Sequence, residues 1–166
     1  CLGHDKRLAN VYWWLGIAWH NKKDLRTAIT WHKAALALLP DNLPLIKNIA
    51  GNLNTLGDRP GLSAFLYEQL RKARGKNQDT EAGILAALLE YGIDQKENLS
   101  AALLLTQRGA RNKNLVYNMA GGLASDPRQA LAALDHLALA FNFGYTNMAA
   151  MLQDTKLSNL RARADW

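Results

Sequence analysis

Apolar residues in this chain recur at spacings of three and four, the period of helices that bury one face. Tyr12, Leu15 and Trp19 share a face at i, i+3 and i+7, and Ile46, Ile49, Ala50 and Leu53 form a second such stripe. Ile84, Leu85, Leu88 and Leu89 predict a helix over 79–91. A turn over 92–96 then leads to a partner helix over 98–109, and a further pair is expected over 114–124 and 127–142. The breaks carry matching chemistry. Asp24 fits an N-cap, because its carboxylate can accept the unpaired amides of a first helical turn. Pro40 ends the helix before it, and disfavours helix at Leu39. Gly57-Asp58 makes a turn, and Pro60 suits a first helical turn, where a missing N–H is harmless. Residues 75–78 read as a loop, and Asp126-Pro127 as a cap followed by a helix start. Gly121-Gly122 inside a helix predicts close packing against a neighbour, since glycine there is otherwise unfavourable.

The stripes are repeated. Residues 9–42 and 43–76 are units of equal length, and the first holds Tyr12, Leu15, Gly16, Trp19, Ala28, Ala35 and Pro40 in order. Small residues at Gly16, Ala28 and Ala35 let two antiparallel helices approach closely. This ordered set resembles the tetratricopeptide-repeat signature, whose period is ~34 residues. His32 stands where that family has an aromatic, and Leu62, Leu66 and Gln69 make the second unit degenerate. Further on, Gly144-Tyr145, Leu152, Asp154, Leu157, Leu160, Arg161 and Trp166 resemble the closing segment of bacterial arrays, where a last helix covers the final hairpin. The resemblance implies an all-α, right-handed superhelical array of about four antiparallel hairpins in one domain over 1–166. Its repeats fall at about 9–42, 43–76, 79–110 and 113–143, with a cap over 145–166. The stretch before Ala9 holds an incomplete turn, so the chain reads as a fragment of a longer one.

The resemblance also implies a concave groove. Carrying the family's groove positions over gives Asn10, Trp13, Ile17, His20 and Asn21 from the first unit, and Lys47, Asn48, Gly51, Asn54 and Thr55 from the second. The expected partner-binding set is Trp13, Ile17, His20, Asn21, Lys47, Asn48 and Asn54. Trp13 has two readings, an anchor for a partner or a contact for a preceding repeat. Some chaperone-binding members hold a peptide carboxylate with Lys and Asn; Trp13 and Ile17 occupy the first-repeat positions of that clamp, which counts against such a receptor here.

Composition narrows the function. Apolar residues make up 49% of the chain, enough for a packed core, and Leu and Ala dominate, which favours helix. The net charge of +6 is uneven: through Lys76 there are 12 Lys and Arg against 5 Asp and Glu, and from Asn77 onward 8 against 9. The cluster Arg71, Lys72, Arg74 and Lys76 fits a helix C-terminus better than a nucleic-acid surface, which would interleave basic and aromatic residues. The single cysteine, Cys1, allows no internal disulfide.

Chemistry is scarce. There is no phosphate-binding glycine loop and no nucleophile elbow. His4, His20, His32 and His136 lack the i, i+4 spacing of a helical metal pair, and His32 is expected to be a hydrogen-bonded core residue. No catalytic residue, metal or cofactor is therefore expected. The chain reads as a module that binds another protein, through a peptide or a partner helix in its groove. The charge excess would suit an acidic partner. The rival reading is an accessory or regulatory domain of a larger bacterial enzyme or signalling protein, such as a kinase. A third, a lipid-anchored envelope scaffold, rests on Cys1 alone. A cytoplasmic location is expected, with a periplasmic or lipoprotein location as the alternative. Membrane contact is expected only if Cys1 is lipidated.

Overall fold

The computed structural model describes residues 2–163, and side chains from Asp5 onward. The readings placed on Cys1 and Trp166, and on the side chain of His4, lie outside the described residues. The described chain is all-α, with no strand among its residues. Its helices are α1 (Leu2–Asn21), α2 (Leu25–Leu38), α3 (Leu43–Thr55), α4 (Arg59–Ala73), α5 (Gln78–Glu90), α6 (Gln95–Gln107), α7 (Lys113–Ala124), α8 (Ala130–Asn142), α9 (Met148–Gln153) and α10 (Ser158–Arg161). Short 3-10 turns precede α8 (Pro127–Gln129) and α10 (Thr155–Leu157). No described helix is long and apolar enough to cross a membrane.

The chain divides into two compact units, Cys1–Ile84 and Leu85–Trp166, with the boundary inside α5. In the first unit α1 packs on α2, α2 on α3 and α3 on α4. Short connections between packed neighbours make these successive helices antiparallel. Of the stripes anticipated from spacing, Ile46, Ile49, Ala50 and Leu53 are buried, with Ala28, Ala35, Leu62 and Leu66 and, beyond that expectation, Leu45, whereas Tyr12, Leu15 and Trp19 are only half-buried. Each helix start is specified locally. Asp24 accepts the Thr27 amide at 3.1 Å and the Thr27 hydroxyl at 2.8 Å. Asn42 accepts the Leu45 amide at 3.0 Å, and Asp58 the Gly61 amide at 2.9 Å. The turn before α2 places Lys23 at φ 66, and the turn before α4 places Gly57 at φ 72. Lys23-Asp24 and Gly57-Asp58 are the same left-handed residue and cap, one repeat length apart.

Close approach occurs at Gly16 and Gly83. A Cβ on Gly16 would lie 2.2 Å from Cδ2 of His32, and one on Gly83 2.3 Å from Cδ2 of Leu43. The pair Gly121-Gly122 is different: added Cβ atoms would meet Lys156 at 3.4 Å and Leu99 at 3.9 Å, ordinary contact distances. The close packing expected there is absent.

In the second unit α6 packs on α7 and α7 on α8. Val116, Ala120, Leu123, Ala133, Leu137 and Ala140 form its core with Met151, Leu157 and Leu160 from the closing segment. Helix α6 begins at Gln95, ahead of the expected Asn98, because Asp94 takes a left-handed conformation and starts the helix without a side-chain cap. Asn98 is buried instead, its Nδ2 donating to the Ile93 carbonyl at 2.9 Å. Pro127 opens a 3-10 turn and not the α-helix itself; Asp126 caps that turn through the Arg128 amide at 3.0 Å.

Candidate functional site

The first unit presents a pocket of about 250 Å³ between α1 and α3, lined by Ile17 and His20 from α1, His32 from α2, and Lys47, Asn48, Gly51, Asn52 and Thr55 from α3. Helical spacing explains the set. Ile17 and His20 are one turn apart on α1; Lys47, Asn48, Gly51, Asn52 and Thr55 repeat at three and four on α3. Gly51 contributes no side chain to the lining.

The rim and floor differ. His20 and Lys47 are exposed and Asn48 is half-buried. His32 and Asn52 form the floor at 1% and 2% exposure. Nδ1 of His20 lies 2.7 Å from Oδ1 of Asn52. An amide oxygen only accepts, so His20 donates and its Nε2 is left as the free ring nitrogen. Asn52 Nδ2 and both ring nitrogens of His32 are buried without a hydrogen-bond partner among the described residues. Leaving such groups unpaired is unfavourable, by about 1–3 kcal/mol each. The hydrogen-bonded packing role expected of His32 is thus corrected. The imidazole is packed against Gly16 at a distance that admits no methyl group, yet it bonds to nothing. Burial, and then the neighbouring His20, hold its pKa below the ordinary histidine value. It is a neutral imidazole with one idle donor and one idle acceptor.

Of the residues the sequence nominated, Ile17, His20, Lys47 and Asn48 come together in this pocket, as do Gly51 and Thr55 from the wider groove set. Asn21 and Asn54 are exposed at the C-terminal ends of α1 and α3, outside the described lining. Trp13 is half-buried one turn before Ile17, its indole nitrogen buried without a partner among the described residues, while Trp14 is exposed at 69%. Trp31 packs against Tyr12 with ring centroids 5.5 Å apart, and the Lys22 ammonium sits 4.8 Å over the Trp19 ring. The sequence reading missed Asn52 and the pocket role of His32. Asn52 lies one turn past Asn48, and that spacing was the available signal.

A larger hollow of about 550 Å³ lies between α2 and α4, lined by Lys33, Leu36, Phe65, Glu68, Gln69 and Lys72 among others. Its one acidic group, Glu68, is already paired with Lys72. It holds none of the unpaired buried atoms, so the smaller pocket is the better candidate despite its size. Among the described residues no group of three or more His, Cys, Asp or Glu side chains is placed to hold a metal. No protein-family model matches the chain, and no curated protein matches it.

Proposed function

We propose that the chain is a tetratricopeptide-like binding module whose hairpins form a right-handed superhelical array, and that it acts by holding a peptide or partner helix and not by catalysis. The occupant lies across α1 and α3, the first helices of the two N-terminal hairpins. One observation carries the reading: Ile17, His20, Lys47 and Asn48, nominated as groove residues from two separate repeats, share one pocket. An aliphatic residue, an imidazole, an ammonium and an amide suit a short segment with apolar and acidic groups. The basic excess through Lys76 would speed the approach of such a partner.

The test is a screen of immobilised random peptides, followed by titration calorimetry on the best binder. Lys47→Glu changes an exposed side chain, so the fold should persist while binding weakens and its salt dependence reverses. Trp13→Ala should weaken binding by about 2 kcal/mol or more with the circular dichroism spectrum unchanged. If Trp13→Ala unfolds the unit, Trp13 is a core residue and leaves the binding strip. Normal binding by a folded Lys47→Glu protein would place the occupant elsewhere.

A further inference from the structure

We infer that the pocket formed by His20, His32, Lys47, Asn48 and Asn52 is a site for a phosphate monoester. The inference rests on the binding-module reading and names the chemistry its central pocket recognises. Every titratable group lining the pocket is basic: His20 from α1, His32 from α2 and Lys47 from α3. The other described lining residues, Ile17, Asn48, Gly51, Asn52 and Thr55, carry no charge, and no carboxylate is among them. A basic pocket with no internal counter-ion favours an anion. The polar groups come from three helices, Nε2 of His20 on α1 as an acceptor, and His32 on α2 with Lys47 and Asn48 on α3 as donors. A tetrahedral phosphoryl group, with three acceptor oxygens and a charge of about −1.5 to −2, uses such an arrangement more fully than a planar carboxylate with two oxygens. The volume of about 250 Å³ leaves room for the ester carbon as well as the phosphoryl group.

The rim groups Lys47 and Asn48 make the direct donor contacts, and Nε2 of His20, an acceptor while Nδ1 donates to Asn52, meets the phosphoryl group through its P–OH proton. The floor responds. Burial, and then His20, favour the neutral form of His32, and the titratable groups that share the pocket with it are His20 and Lys47. An anion above it supplies the missing counter-charge, so His32 takes a proton from solvent and both its ring nitrogens become donors. The idle acceptor that a neutral imidazole leaves in the floor is thereby removed. Binding is therefore linked to the uptake of a proton, and affinity rises as pH falls toward the histidine range.

The experiment uses the whole chain with inorganic phosphate, O-phosphoserine and acetate as probes, in buffers free of phosphate. Histidine C–H resonances are followed by NMR, and calorimetry in two buffers of different ionisation enthalpy counts the protons. The expected result is saturable phosphate binding that shifts the His20 and His32 signals, takes up a proton, and is roughly threefold to tenfold tighter at pH 7 than at pH 8. O-phosphoserine binding more tightly than inorganic phosphate identifies a modified side chain as the source; equal affinity identifies the free ion. Lys47→Gln should remove most of the affinity while leaving the fold intact. His32→Asn, if it folds, should bind without proton uptake. Acetate binding as tightly as phosphate, or no shift at either histidine, overturns the inference. Should phosphate fail while unmodified peptides still bind and respond to Lys47→Glu, only the phosphate site is lost and the binding-module reading stands.

Discussion

Two side chains decide the first unit at the residue scale, Gly16 and His32. Gly16 was legible as a small residue needed for close helix approach, and it is buried under the His32 ring. Gly16→Ala would force a methyl group to 2.2 Å from Cδ2 of an imidazole that is itself 1% exposed and cannot swing into solvent. The expected cost is about 1–3 kcal/mol, read as a lower urea midpoint with unchanged slope. Gly122→Ala meets nothing nearer than 3.9 Å and should be neutral or stabilising, which controls for the general effect of adding a methyl group to a helix. The polarity of the His32 environment was not legible. A histidine on a core face gives no sign of whether its nitrogens find partners, because the partners come from other helices. The consequence is a pH dependence of definite sign. Burial first, and then His20, lowers the pKa of His32 in the folded chain. The unfolded chain therefore binds the proton more readily, and stability present above about pH 6.5 falls as the pH drops below it. Thermal melts between pH 7.5 and pH 5 should show this loss. A variant lacking the buried imidazole, such as His32→Asn, should show less of it if folded, and an equal loss in the variant would assign the effect to other groups.

The sequence was most informative at the element scale. Helix stops and starts depend on neighbours within a few residues, so Asp24, Asp58 and Asp126 could be placed beside their turns from local chemistry alone. The structure confirms each through a backbone amide. Boundaries slipped where the start lacks such chemistry, as at α6, which follows a left-handed Asp94 that makes no cap bond. Asn42 lies two residues past Pro40, the stronger local signal of that turn. It caps α3, the helix that carries Lys47, Asn48 and Asn52. Asn42→Ala should destabilise the first unit by about 1 kcal/mol, measurable by denaturant titration. Binding should change little when the unit is fully folded, since the cap lies outside the pocket lining. A second change at this scale runs the other way. Lys23 holds the left-handed conformation that Gly57 holds in the equivalent turn, and a side chain there is strained by roughly 1 kcal/mol. Lys23→Gly should recover part of that, offset by the greater freedom of glycine in the unfolded chain. A melting temperature clearly below the parent's would show that the cation contact of Lys22 with Trp19 or the local turn needs the native residue.

For the molecule as a whole, spacing announced helices and repeats, but it could not weigh how the chain ends. The closing segment contributes more than a lid of apolar residues. Met151, Leu157 and Leu160 enter the core of the second unit, and polar contacts fix them there. Tyr117 on α7 stacks on Tyr145 with centroids 4.2 Å apart and donates its hydroxyl to Asp154 at 2.8 Å. Burial first, and then the bond to Asp154, pushes that hydroxyl well above the ordinary tyrosine range, so it stays a donor through any physiological pH. Arg161 returns to the Asp154 carbonyl at 2.8 Å, and Lys156 reaches the Leu89 and Glu90 carbonyls at 3.1 and 2.7 Å, where a cation complements the C-terminus of α5. Asp154 and Leu157 were read as cap residues from a family likeness; Tyr117 and Lys156 were not, since their partners lie 37 and about 67 positions away in sequence. Tyr117→Phe keeps the ring stack and removes one hydrogen bond, so it should cost the second unit about 1 kcal/mol. Ending the chain after Thr146 removes the three buried apolar side chains together with these bonds. Each buried side chain is worth about 1.5–3 kcal/mol, and their sum approaches the whole stability of a domain this size. The truncated protein should therefore lose cooperative unfolding in its second unit and bind a hydrophobic dye. If the truncated chain melts as sharply as the parent, the closing segment rests on a core that is already complete without it.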